Sequence, residues 1–219
     1  MNQWIDRRRA AILLHITSLP GPFHKGVLGK EAFEFVDTML LGGFTVWQFL
    51  PLGPTHGHGS PYESLSTFAG NPELIDLRDC IASGWLDDNL SQGKLSREAH
   101  AQYRALASQA FWSTLEKDTA LKHEVERFQT KHAHWLDDYS LFSALKSATN
   151  DQAWWQWPEA LCKREPQALA AVKDEHKQRI QLITFEQFMF DRQWHTLKSY
   201  AEEKGVQLFG DLPIYVAHD

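Results

Sequence analysis

Cysteine is scarce in this chain of 219 residues: only Cys80 and Cys162 are present. Two thiols build neither a disulfide framework nor a four-ligand zinc site. A basic excess is also missing, because 22 Lys and Arg stand against 28 Asp and Glu for a formal net charge of −6. That balance argues against general nucleic-acid binding, which needs a cationic face to neutralise phosphates. No apolar run approaches the roughly 20 residues required to cross a bilayer, so a membrane role is not expected. Low-complexity tracts and internal repeats are absent as well. Near the N-terminus, Arg7-Arg8-Arg9 precedes apolar Ala10 to Leu14. Those five residues are too few for an export-signal core of about 7–15. The simplest setting is cytoplasmic, with reduced thiols.

What is abundant is aromatic: 9 Trp, 13 Phe and 5 Tyr, 12% of the chain. Large rings serve packed helix interfaces, and they also stack on the apolar C–H faces of sugars. Both readings apply to the cluster Trp154-Trp155-Gln156-Trp157-Pro158, with interface packing the simpler one.

The chain opens strand–helix–strand. Residues 11–19 are nearly continuously apolar and end at Pro20-Gly21-Pro22, a pattern that predicts a strand buried on both faces. Residues 30–41 carry Phe33, Val36 and Leu40 at helical spacing and close on Gly42-Gly43. Residues 44–52 predict a second buried strand. Together these form a parallel α/β unit. A polar loop, Gly53 to Ser64, follows the second strand, where α/β folds bind ligands. It lacks the Gly-Lys-Ser/Thr ending of a phosphate loop.

From about 84 to 175 the pattern is amphipathic and helical, as in Tyr103, Leu106, Ala110 and in Trp135, Tyr139, Phe142, Leu145. A long helix over 176–204 ends at Gly205, and 206–216 predicts a third buried strand. The expected organisation is 1–80 for two strands and their loop, 81–175 for a helical insertion, and 176–219 for a helix and third strand. Three such strands are few for a closed sheet, so the chain reads as the front part of a longer protein.

Candidate chemistry is sparse. His56/His58 and His132/His134 have i, i+2 spacing but no obvious third ligand, so no metal is expected. His15, near the end of the first strand, either points into a pocket or is a satisfied core histidine. Asp211 lies within an otherwise apolar strand, where an ionised carboxylate is costly unless paired, and strand ends of this kind hold active sites. Asp219 reads as a loop carboxylate, and Asp87-Asp88 and Asp137-Asp138 as caps or solvated faces. Ser60 and Ser64 lack a nucleophile elbow, and neither cysteine has an activating context.

Several segments in order resemble one family. They are Ile12 to Pro22, Trp47 to Thr55, Gly59-Ser60-Pro61-Tyr62, Phe68 to Pro72 and Gly210 to Asp219, with Trp135 to Tyr139 and Trp157-Pro158 in the helical region. The family is 4-α-glucanotransferase (amylomaltase, disproportionating enzyme), in the α-amylase clan. The resemblance implies a (β/α)8 TIM barrel, here incomplete after three strands, with a helical insertion between strands 2 and 3. It implies transfer of α-1,4-glucan segments between maltodextrins or to glucose, with retention and without metal or nucleotide cofactor. On this resemblance Tyr62 flanks the sugar at the cleaved bond, Asp211 hydrogen-bonds a hydroxyl of that sugar, and Ser60 helps bind the neighbouring unit. His56 and His58 are given no role. The family's nucleophile and acid/base motifs are not found in these residues, so the 219-residue chain is expected to be inactive alone. A same-clan α-1,4-glucan hydrolase and a non-catalytic maltodextrin-binding module are the alternative readings.

Overall fold

The computed structural model describes residues 8–55, 59–88 and 94–216. Its strands are β1 (Ala11–Leu13), β2 (Val46–Gln48), β3 (Glu63–Ser64), β4 (Gln207–Phe209) and β5 (Tyr215–Val216). The helices are α1 (Lys30–Leu41), α2 (Arg78–Ala82), α3 (Arg97–Leu115), α4 (Thr119–His132), α5 (Leu136–Ala148), α6 (Glu159–Cys162), α7 (Pro166–Glu175) and α8 (Lys177–Glu203). Apart from short 3-10 turns, the chain is thus mostly helical around a small parallel sheet.

That sheet has three strands in the order β1-β2-β4, all parallel. The register sets Ile12, Trp47 and Leu208 in one row. Because side chains alternate faces along a strand, this row points to one side. There it joins Val36 and Met39 of α1 and Leu197 and Ala201 of α8 in a buried cluster. Trp47 is fully buried, and its indole N–H donates to the Leu14 carbonyl at 2.7 Å.

The neighbouring rows differ from the sequence expectation of strands buried on both faces. Leu13 and Phe209 in the next row are 58% and 48% exposed. Helices cover one face only among the described residues, so continuous apolarity overstates the burial. The regular strands are also shorter than expected. The chain turns at Ile16–Ser18 after β1, and Pro51 and Pro54 follow β2. The expected third strand, 206–216, splits into β4 and β5, and Pro213 between them offers no N–H to a ladder.

Helix boundaries follow the sequence more closely. α1 and α8 lie within a residue of their expected limits. Gly205 takes the left-handed conformation, φ +77°, that ends α8 and turns the chain into β4. Of the stripe expected on α3, Tyr103 and Ala110 pack against the core but Leu106 is exposed, and the most buried positions are His100, Arg104, Ala107, Ser108 and Phe111. A second core gathers Phe111, Phe128, Trp135, Phe185, Phe188 and Met189 with Phe23, Ile75, Leu77 and Cys80. α8 therefore serves both cores, Phe185 to Met189 in the helical one and Leu197 to Ala201 against the sheet.

Candidate functional site

The loop after β2 and the segment after β4 meet beyond the C-terminal ends of the sheet. β3, on the loop, pairs in parallel with β5, aligning Glu63 with Tyr215 and Ser64 with Val216. Thr55 bridges Ser64 in antiparallel fashion, closing the loop on itself. Ser64 Oγ donates to the Ser66 carbonyl at 2.7 Å, and Ser66 Oγ accepts from the N–H groups of Phe68 and Ala69. At its far end the loop is tied to α8: Gln187 accepts from Gly70 N–H at 2.8 Å and donates to the Gly70 carbonyl at 3.0 Å. Gly70 has to be glycine, because a Cβ there would lie 2.1 Å from the Phe190 ring.

This framework brings Tyr62 and Asp211 together. The Tyr62 hydroxyl donates to Asp211 Oδ2 at 2.9 Å, and Leu212 N–H donates to Asp211 Oδ1 at 2.8 Å. Each carboxylate oxygen keeps accepting capacity for a further donor. The hydrogen bond to Asp211 raises the Tyr62 pKa, with smaller contributions from desolvation and the carboxylate's charge, so the phenol stays protonated at neutral pH. Ser60 Oγ accepts a long 3.4 Å bond from Tyr62 N–H, placing all three sequence-selected residues on one edge. The expectation of an Asp211 buried in a strand is corrected: β4 ends two residues earlier and Asp211 is exposed. No burial cost needs paying there, and Tyr62 is its structural partner.

A crevice of about 470 Å³ opens on the same side of the sheet. His15 and Thr17 after β1, Pro51 after β2, and Gly59 and Pro61 of the loop line it. Its polar wall is Glu73, which is buried and receives hydrogen bonds from Lys25 and Arg97. Those two cations hold the Glu73 carboxyl below the usual range against the opposing effect of burial. Burial, assisted by Lys25, lowers the His15 pKa and keeps that ring neutral at pH 7. Of the two sequence readings of His15, the pocket-lining one matches, although its Nδ1 is buried without a partner.

The other candidates separate. His132 Nε2 lies 3.2 Å from Asp191 and its Nδ1 accepts from the Trp135 indole, whereas His134 sits edge-on to Phe68. Among the described residues no group of three or more metal-ligating side chains occurs. His56, His58 and Asp219 lie outside the described residues. Trp154 and Trp155 are each more than two-fifths exposed, while Trp157 packs on Phe142. Asp138 pairs with Arg164 on the surface. Cys80 is buried, which pushes its thiol up to about 12, an unreactive state.

Sequence reasoning missed the polar groups that hold this edge in place. Besides Lys25–Glu73–Arg97, Arg78 bridges Glu31 and Asp76, and buried Arg104 joins Glu186 to His100. Gln193 clamps the Asp76 backbone as Gln187 clamps Gly70. For Arg104, Glu186, Gln187 and Gln193 the signal was present as charged and amide residues interrupting the apolar stripes of α3 and α8.

A sequence profile described as 4-alpha-glucanotransferase matches residues 14–219. The 4-alpha-glucanotransferase of Thermus thermophilus is 42% identical over 217 residues, covering 97% of this chain and 43% of that protein. The chloroplastic/amyloplastic enzyme of Solanum tuberosum is 36% identical, covering 97% of this chain and 39% of its own. Amylomaltase from Streptococcus agalactiae, solved in complex with acarbose, superposes with a TM-score of 0.84 at 33% identity over 95% of this chain and 44% of that one. The chain therefore spans less than half the length of the curated relatives it matches. The match from residue 14 onward, with the likeness in structure, assigns it: the chain belongs to the 4-alpha-glucanotransferase family.

Proposed function

We propose that this chain carries the donor-sugar edge of a 4-α-glucanotransferase, which moves α-1,4-glucan segments between maltodextrins or to glucose with retention. The supporting observation is the Tyr62–Asp211 hydrogen bond at the C-terminal end of the sheet, 149 residues apart in sequence. In this reading the Tyr62 ring flanks the sugar at the cleaved bond and Asp211 takes one of its hydroxyl protons in a hydrogen bond. Ser60 contacts the neighbouring unit. The acarbose complex of the Streptococcus agalactiae relative is in keeping with such a ligand class.

Retention requires a carboxylate nucleophile and a carboxylic acid/base about 5–5.5 Å apart. Those two groups belong, in this proposal, to parts of the longer protein outside these 219 residues. Tyr62 and Asp211 then supply position and orientation, which lower a barrier only when the reacting groups are also present. Bound acceptor sugar and exclusion of water favour transfer over hydrolysis. The three parallel strands are the first strands of an incomplete (β/α)8 barrel. Residues 1–80 carry two strands and the substrate loop, 81–175 an inserted helical subdomain, and 176–219 the next barrel helix and strand. No cofactor enters the reaction, and the setting is the cytoplasm.

The test is transfer from maltotriose, read as glucose plus longer dextrins. The 219-residue chain alone is expected to give none, and the longer protein containing it to give a redistributed chain-length series. In that protein Tyr62→Ala and Asp211→Asn are each expected to lower kcat/KM by about 100-fold or more, the scale of a lost positioning contact. Release of reducing ends without longer dextrins would favour the hydrolase reading. Binding through Tyr62 with no turnover would favour the binding module.

A further inference from the structure

Asp211 and Tyr62 are placed by different routes. Asp211 stands two residues past β4, whose end the sheet fixes: Phe49 N–H donates to the Phe209 carbonyl at 3.1 Å. Tyr62 belongs to a loop outside that sheet. On its N-terminal side the hold is weak. Tyr62 N–H reaches Ser60 Oγ at 3.4 Å, and Glu63 N–H reaches the Ser60 carbonyl at 3.3 Å, both longer than usual for such bonds. The alignment of the phenol with Asp211 is therefore set from the C-terminal side.

Ser64, two residues further on, is where the constraints meet. It is the one buried residue between Gly59 and Phe68. Its backbone aligns with Val216 of β5 and also bridges Thr55. β5 begins four residues after Asp211, so the first pairing ties the chain beside Tyr62 to the chain that carries the carboxylate. The side chain is held as firmly. Ser64 Oγ donates to the Ser66 carbonyl at 2.7 Å and accepts from Ser66 N–H at 3.3 Å. Gly53 packs against it: a Cβ at Gly53 would fall 2.6 Å from Ser64 Oγ and 3.4 Å from Ser64 Cβ. Glycine at 53 leaves room for that hydroxyl.

The Ser64 hydroxyl is buried and committed within its own loop, so it offers nothing to a sugar. A residue placed in this way affects the reaction through the backbone it holds, and that backbone leads within two residues to Tyr62. A group held in place before the ligand arrives loses little freedom on binding.

We propose that Ser64, seated against Gly53, is a positioning residue of the transfer reaction, setting the Tyr62 backbone so that the phenol meets Asp211 before the sugar enters. The proposal rests on the donor-edge reading and adds to it the residues that fix the edge.

Transfer from maltotriose by the longer protein tests it. Ser64→Ala is expected to lower kcat/KM by about tenfold or more, the effect of a slightly misplaced contact. In a Tyr62→Ala background the same change is expected to cost less than about twofold, because the group it positions is gone. A serine with a merely structural role would cost the same factor in both backgrounds, or nothing, and either result overturns the proposal. A thermal melt establishes that Ser64→Ala is folded. If it is not, Gly53→Ala, which drives a methyl onto Ser64, enters the same cycle with the same expectations. If neither variant folds, the contact is structural and the proposal falls. A second readout comes from the 219-residue chain, in which the bond to Asp211 raises the Tyr62 pKa. The Tyr62 ring is followed by nuclear magnetic resonance against pH and assigned with Tyr62→Phe. Ser64→Ala is expected to bring its titration down toward that of Asp211→Asn, and an unchanged titration overturns the proposal. If Tyr62→Ala by itself leaves kcat/KM unchanged, it is the donor-edge reading that fails, whatever Ser64 does.

Discussion

His100 shows how one buried side chain carries both packing and pH dependence. Its Nε2 lies 2.9 Å from the Ile75 carbonyl, an acceptor, so that nitrogen holds the proton. Its Nδ1 accepts from Arg104 Nη1 at 2.6 Å. The neutral ring is thus fixed in one tautomer. Burial, followed by the Arg104 charge, lowers its pKa from the usual 6.5 to about 3. Between those values the unfolded chain binds a proton that the folded chain refuses. Stability from this group is complete above about pH 6.5 and falls as the pH drops toward 3, at up to about 1.4 kcal/mol per pH unit. His15, His24 and His132 have lowered values too and act in the same direction. The urea midpoint is expected to fall between pH 7 and pH 5, and to fall less in His100→Gln. Equal pH dependence in the two proteins would show that His100 takes up its proton without opposing the fold.

At the scale of elements, α8 organises the site edge from a distance. Two of its glutamines replace the pairing that a sheet neighbour would give. Gln187 holds both backbone groups of Gly70, and Gln193 holds those of Asp76 while also donating to Asp79 at 2.7 Å. Between these anchors runs the segment bearing Asn71 and Glu73. Gln187→Ala leaves a buried N–H and carbonyl unpaired, at a cost of about 1–3 kcal/mol each. Gly70→Ala forces a methyl into Phe190, an overpacking cost of about 1–3 kcal/mol. Denaturant unfolding is expected to show both losses. Because the two residues share one contact, the double variant should lose less than their sum. Strict additivity would mean that the anchor and the close packing act independently. The helical pattern of α8 was legible from its apolar spacing. The glutamine clamps were not, since their partners lie 117 residues away.

Across the whole molecule, the apolar surface is unevenly covered. Leu212, Ile214 and Tyr215 are 80%, 73% and 64% exposed, close to the half-exposed Phe209 at the end of β4. Large exposed apolar side chains close to a strand end promote association in water. The isolated chain is expected to bind a hydrophobic dye under native conditions and to self-associate at about 10–100 μM, the range in which exposed strand edges aggregate. Light scattering after chromatography checks this, and Leu212→Lys with Ile214→Lys should reduce both effects. A monomer without dye binding at those concentrations would refute the account. The sheet expectation erred here for a related reason. Apolar runs at 11–19 and 206–216 report what a strand can bury, and the covering partner decides what it does bury.

The amino-acid sequence alone determined α1, α8, the helical character of 84–175 and the strand–helix–strand opening, while Ser60, Tyr62 and Asp211 were selected together through the family resemblance. Helical spacing, Gly and Pro punctuation and loop motifs are local properties, written within a few turns of chain. Only the tertiary structure decided that Tyr62 donates to Asp211, that Asp211 is exposed, and that Lys25, Glu73 and Arg97 share one wall. Hydrogen bonds and ion pairs form between atoms a few ångströms apart, and the distance along the chain carries almost no information about which atoms those are.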